Sequence, residues 1–228
     1  MAKSVLKLEA AAYGTYGALG EAAAGPLAED LARFADAPPP ERGFRSFVAA
    51  FGGEPPASEA AFERALWALL RALHARDRCA WDAAVSPDPE SPHFSFSFAG
   101  TAFYVVGMHP RASRPARRLP VPAVVFNLHA QFEQLRREGR YDKVRSLIRE
   151  RDRAYAGSVN PMMEDHGVRS EARQYAGRAV EAGWACPFTA SGGAASGGAP
   201  EPTAAQDATP TPAAPEASGT RARCPHST

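Results

Sequence analysis

The sequence is poor in lysine and cysteine, and its last forty residues have no large apolar side chain at all. Only Lys3, Lys7 and Lys143 accompany a large excess of arginine, a bias that looks more like codon usage than chemistry. Three cysteines are an odd count and too few for a disulfide scaffold, so a reducing, cytoplasmic setting is expected. No apolar run approaches the ~20 residues of a membrane helix. Lys7 and Glu9 interrupt what would be the apolar core of a signal peptide. Charge of one sign is also missing. With 26 Lys and Arg against 25 Asp and Glu, the formal net charge is +1, and no global field favours nucleic acid or an acidic membrane surface. There is no Gly-x-Ser-x-Gly elbow, no Walker loop, no His-Glu-x-x-His and no paired-cysteine spacing.

What is present is uneven. The 228 residues suffice for one domain with extensions. Residues 189–228 are Ala, Gly, Pro, Ser and Thr with a few charges, which cannot offset chain entropy of ~1–2 kcal/mol per ordered residue. A disordered tail is expected there, with Cys224 and His226 outside any site. Residues 1–42 read as a weakly structured or helical extension. The stretch 9–34 has helical character but carries Gly14, Gly17, Gly20 and Gly25, whose spacing is not a dinucleotide fingerprint. Pro38, Pro39 and Pro40 form a stiff linker. The packed domain is placed at 43–188.

Within it, Ser58 is a good N-cap for a helix to about Arg76, with Phe62, Leu66, Leu69 and Leu73 as its buried stripe. Trp67, Leu70 and His74 form an adjacent stripe. Phe94, Phe96 and Phe98 alternate with serine, the period of a half-buried strand. A short connection through Gly100 leads to a second strand-like run over 102–106, which predicts a hairpin. A third apolar run covers 123–126. Asn127 is read as the cap of a helix over 128–137, a second helix covers 141–153 and a last one lies near 170–182. The expected class is α+β: one domain of several helices packed on a small antiparallel sheet or hairpin, followed by the tail.

The densest chemical feature is residues 108–118, with Arg111, Arg114, Arg117 and Arg118 and no acid. Pro110 and Pro115 prevent a regular helix. Such a loop suits a bidentate anion such as a phosphate or a carboxylate pair, or is a solvated loop paired with acids elsewhere. One short patch on a near-neutral chain argues against nucleic acid. His109 stands at a strand end. His129 lies in the first turn of a helix, one turn before Glu133. Each histidine reads either as hydrogen-bonded structure or as a ligand. Cys186 lies among apolar residues, as an inert thiol or a thiolate ligand to iron.

Residues 44–188 resemble the YqcI/YcgG family. The matching strings include 44–48, Ser58-Glu59 through Leu66-Trp67, and Leu73-His74 with Asp77. They continue through 85–89, 94–97, Val105-Val106-Gly107-Met108-His109-Pro110 with Ser113-Arg114, and Val125-Phe126-Asn127 with His129 and Gln131-Phe132-Glu133. The last are Gly157-Ser158 with Asn160-Pro161-Met162, residues 170–175 with Gly177-Arg178, and Trp184 with Cys186-Pro187-Phe188. Met108, Ala176 and His166 depart from the pattern, and the first 40 residues and the tail lie outside it.

The family includes haem-dependent N-hydroxylases of arginine-type guanidines, found in guanitoxin and D-cycloserine biosynthesis. The resemblance therefore implies a haem b protein that takes dioxygen and electrons from a separate donor. It would place a hydroxyl on a nitrogen of a guanidine- or amine-containing amino acid. A non-catalytic haem- or small-ligand-binding protein is the alternative, and a homodimer is compatible with either. On this reading His109, then His129, then Cys186 are the candidates for the iron. Arg111, Arg114, Arg117 and Arg118 suit the propionates. Phe94, Phe96, Phe98, Phe103 and Trp184 suit the pocket walls. Glu133 and Glu171 are candidate carboxylates for the substrate, ahead of Glu164 and Asp165, and each serves equally as an ion-pair partner for an arginine.

Overall fold

The computed structural model describes residues 11–38, 44–160 and 168–190. Tail residues 191–228, and with them Cys224 and His226, lie outside the described residues, as do Glu164 and Asp165. The described part is α+β, built on a five-stranded sheet in the order β1-β2-β5-β4-β3. The strands are β1 (Ala11–Tyr16), β2 (Ser46–Phe51), β3 (Phe96–Phe98), β4 (Thr101–Met108) and β5 (Ala123–Leu128). β1 and β2 are parallel because helix α1 (Ala24–Asp36) carries the chain back between them; the other pairs are antiparallel.

Alternation along the strands fixes two unlike faces. Phe47 and Ala49 of β2, Val124 and Phe126 of β5, and Phe103 and Val105 of β4 are buried on one face. Against it pack α1 and α2 (Glu59–His74), with Phe34 of α1 touching the rings of Phe47 and Phe103. The stripe expected on α2 is there: Phe62, Leu66, Trp67, Leu69, Leu70 and Leu73 are all fully buried. Ser58 caps the helix by accepting from Ala61 N at 3.1 Å, a bond worth about 1 kcal/mol. The second face is barer. Val48, Val125, Tyr104, Val106 and Met108 are half-buried there, and α3 (His129–Arg137) reaches it through Phe132 against Tyr104. Helix α4 (Tyr141–Ala156) follows and buries no residue.

Four expectations change. Residues 11–38 are not a loose extension: Ala24, Leu27 and Leu31 are fully buried in the shared core. Part of the stretch expected to be helical is strand β1, because Tyr13, Thr15 and Tyr16 favour an extended chain and the helix starts only after Gly20. Asn127 is not a cap. It sits inside β5, where its side-chain amide donates to Tyr104 O and its carbonyl accepts from Ser46 Oγ at 2.7 Å. The helix expected near 170–182 is a single turn, α5 (Ala172–Tyr175), stopped by Gly177 at a φ of 82°. The hairpin connection is as expected, with Ala99 and Gly100 both left-handed (φ 52° and 66°). Asp77 holds that turn by accepting from Ala99 N. Among the described residues no helix is long and apolar enough to cross a membrane.

Gly107 is the tightest point of the core. A Cβ there would lie 2.6 Å from Phe62 Cε1 and 2.8 Å from the Tyr175 carbonyl oxygen. Gly107→Ala is therefore expected to destabilise the fold by ~1–3 kcal/mol, read as a lower denaturation midpoint; an unchanged midpoint would show that α2 and α5 are not seated as described.

Candidate functional site

Strand β4 is eight residues long, yet β3 pairs with only its first three. The main chain beyond that point finds other partners, and those partners are the polar residues of the site. The Tyr175 hydroxyl enters at the end of the β3–β4 ladder. It accepts from Phe96 N at 3.1 Å and lies 3.3 Å from Phe103 O. Further along, the Arg117 guanidinium donates to Gly107 O at 3.0 Å and to Gln174 O at 3.3 Å.

Glu171, one helical turn before Tyr175, is at the centre of the first group. Its Oε1 lies 2.6 Å from Ser95 Oγ and 2.5 Å from the Tyr175 hydroxyl. Both hydroxyls are also within bonding distance of Phe103 O, at 3.1 and 3.3 Å. Two hydroxyl protons thus serve four contacts. When Glu171 is ionised, both protons go to it and Phe103 O is left short. When Glu171 carries a proton it donates to one hydroxyl, which then turns to Phe103. Burial accordingly holds the Glu171 carboxyl up at about 7, against the pull of the two hydroxyls and of Arg136.

Tyr104 stands beside this group. Its hydroxyl donates to Gln174 Oε1 at 2.9 Å, and its ring meets Tyr175 edge-on at 6.0 Å. Burial raises its pKa, with Arg117 opposing and Glu171 and Tyr141 reinforcing the shift, so Arg117, Glu171 and Tyr141 all lie within electrostatic reach of its hydroxyl.

His109 continues β4 by one residue. It is 1 % exposed and stacks on Phe62 at 4.3 Å and 17°. Its main chain is fixed, with N donating to Arg117 O and O accepting from Ala112 N. Among the described residues neither ring nitrogen finds a hydrogen-bond partner. Burial lowers its pKa, with Glu59 of α2 opposing, so the imidazole is neutral near pH 7.

His129 differs in kind. It is buried at the start of α3, and its Nε2 faces Glu133 Oε1 at 3.1 Å. Glu133 in turn pairs with Arg136. Burial lowers the His129 pKa as well, with Glu133 pulling the other way. The register pairs Met108 with Ala123 and Phe103 with Leu128, so His109 and His129 sit at opposite ends of the β4–β5 ladder. Five residue steps separate those pairs, about 17 Å. The two histidines cannot share one metal ion.

The arginines of the loop are not equivalent. Arg114 forms a largely buried ion pair with Asp152 of α4 at 2.7 Å and donates to Ser158 O. Arg118 bonds Ala112 O and Ser113 O of its own loop, and Arg111 bonds Ala57 O. Arg117 points inward. The aromatic candidates pack on one another: Phe96 touches Phe126 and Phe188, Phe103 touches Phe126, and Phe94 and Trp81 complete the cluster. Trp184 Nε1 donates to Glu63 Oε1 at 3.0 Å, and Arg178 holds the other oxygen at 2.6 Å. Cys186 lies by this cluster, and burial pushes its thiol up to about 12, which suits the inert reading.

The sequence model of the YqcI/YcgG family matches residues 1–189. The chain belongs to that family. The match extends over the first 40 residues, which the resemblance above had left outside, and agrees with the burial of α1 in the core and the packing of Ala12 and Tyr16 of β1 against it. No curated protein and no solved structure matches the chain.

Sequence reasoning missed Ser95, Tyr104, Gln174 and Tyr175 as members of the candidate site in this YqcI/YcgG chain. One signal was available: Glu171 and Tyr175 stand four apart on a helical turn, where a carboxyl and a phenol meet.

A carboxyl that keeps its proton to about pH 7 when folded, against ~4.3 unfolded, favours the fold at low pH and loses that advantage as pH rises through 7, by up to roughly 3 kcal/mol. Glu171→Gln has no such dependence. The difference in melting temperature, wild type minus Glu171→Gln, is expected to fall between pH 5 and pH 8; a constant difference would show an ordinary carboxylate.

Proposed function

We propose that this chain is a haem-dependent oxygenase that hydroxylates a nitrogen of an arginine-like amino acid, using dioxygen and an external electron donor. Family membership motivates the reading. The observation that carries it is His109, a buried neutral imidazole with both ring nitrogens unpartnered at the end of a rigid strand. A buried polar atom without a partner costs ~1–3 kcal/mol, which a metal bond would offset. The other two candidates fit the iron less well. His129 already spends a ring nitrogen on Glu133, and Cys186 is held far from its thiolate.

The donor set therefore suits haem through one imidazole. Phe62 stacked on the ring and the two main-chain bonds at His109 fix its orientation. Arg111 and Arg118 donate only to main-chain oxygens and are exposed, so they keep charge to offer two propionates. Arg114 is committed to Asp152. Haem, when bound, supplies dioxygen activation. The net change is an amine nitrogen plus dioxygen, two electrons and two protons giving a hydroxylamine nitrogen and water. The chain contributes the neutral imidazole at His109 and, at Glu171, a carboxyl that gains or loses a proton near pH 7. Nothing in the sequence resembles a flavin or nicotinamide site, so the reductant is a separate partner.

Haem-supplemented wild type is expected to show a Soret band with the carbon monoxide shift of imidazole ligation. His109→Ala should lose it with an unchanged circular dichroism spectrum, and His129→Ala should keep it. Absence of the band in wild type would overturn the reading. Haem binding without transfer of one oxygen atom to arginine would leave a haem-binding protein and no oxygenase.

A further inference from the structure

Two ionisable groups of the β4 seam form no ion pair among the described residues. The Arg117 guanidinium is enclosed between Gly107 O and Gln174 O, and among the described residues no carboxylate lies within ion-pair distance of it. Its position is built rather than incidental. Gly177 has a φ of 82°, and a Cβ there would lie 3.3 Å from Arg117 Cγ, so the backbone at 177 leaves room for the arginine stem. Glu171 likewise lies in no ion pair among the described residues: Arg136, the nearest cation acting on it, is spent on Glu133. Ser95 and Tyr175 both bond its Oε1, which leaves Oε2 without a hydrogen bond, and Oε2 is not among the buried unpartnered atoms. Tyr104 lies within electrostatic reach of both groups, with its hydroxyl tied to Gln174. Arg117, Tyr104, Glu171 and Gln174 are all half-buried, so the seam opens to the surface.

We propose that this seam is the binding site for a zwitterionic amino acid with a cationic side chain, whose carboxylate pairs with Arg117 and whose guanidinium or ammonium pairs with Glu171. Tyr104 lines the path of the aliphatic chain between them. The assignment rests on the reading above for what happens to the ligand, but not for its binding. An enclosed guanidinium without an acid and an enclosed carboxyl without a base each cost stability, and one ligand with opposite charges at its two ends relieves both. The seam also adjoins the metal-ligand candidate, because Arg117 O accepts from His109 N at 3.0 Å.

The test is calorimetry on the full chain, with and without haem, using L-arginine, agmatine (no carboxylate) and L-citrulline (no side-chain charge). Charge-assisted hydrogen bonds in an enclosed site predict about tenfold or greater loss of affinity for each analogue in wild type. In Arg117→Gln, agmatine should bind as well as arginine; in Glu171→Gln, citrulline should bind as well as arginine. Equal binding of all three ligands by wild type, or no binding of arginine, overturns the assignment without recourse to a variant that fails to fold. A discrimination that survives in both variants also overturns it. If haem never binds but the pattern holds, the oxygenase reading falls and the seam stands. If haem binds and the pattern is absent, only the seam falls.

Discussion

Strand β4 outruns its neighbour, and the polar architecture follows from that mismatch. β3 pairs with Thr101, Ala102 and Phe103, and then the edge of β4 is without a strand. A buried carbonyl without a donor costs ~1–3 kcal/mol, so the chain must bring side-chain donors to the edge. Tyr175 and Ser95 reach Phe103, and Arg117 reaches Gly107. Each arrives from a different part of the sequence. Together they draw Glu171 and Gln174 with them and build a polar seam where a longer β3 would have made a plain ladder. Gly107 is the companion requirement, since no side chain fits between Phe62 and Tyr175 at that point.

Much of this arrangement works against stability. Among the described residues, the buried His109 ring has no hydrogen bond at either nitrogen, Arg117 forms no ion pair with a carboxylate, and Glu171 forms none with a cation. Elsewhere in the same molecule such groups are satisfied: Glu63 is shared by Arg178 and Trp184, Arg114 has Asp152, and His129 has Glu133. His109, Arg117 and Glu171 all adjoin strand β4, and ionisable groups set side by side without charged partners are what a candidate ligand site is expected to show.

The sequence made some of this legible and hid the rest for identifiable reasons. Helix α2 and the β3–β4 hairpin were readable because their apolar periods of about 3.6 and 2 survive without tertiary help. β1 was not, since its glycines mask an alternation that only pairing with β2 makes useful. Asn127 looked like a cap because its amide can satisfy helix or sheet equally, and here Ser46 and Tyr104 decide the matter. The arginine loop was visible as charge, yet charge alone could not show that Arg114 is paired, that Arg118 stitches its own loop, and that only Arg117 turns inward. His109 and His129 both looked like ligands; the β4–β5 register puts them at opposite ends of the ladder. Ser95, Tyr104, Arg117 and Glu171 are scattered over nearly eighty residues, and only the free edge of β4 brings them together.

The most direct test of this account is a crystal structure of the haem-loaded protein soaked with L-arginine. The account predicts iron bonded to a His109 ring nitrogen, the ligand carboxylate on Arg117, and its guanidinium on Glu171 Oε2. Iron on His129 or Cys186, or an arginine whose carboxylate lies away from Arg117, would contradict it.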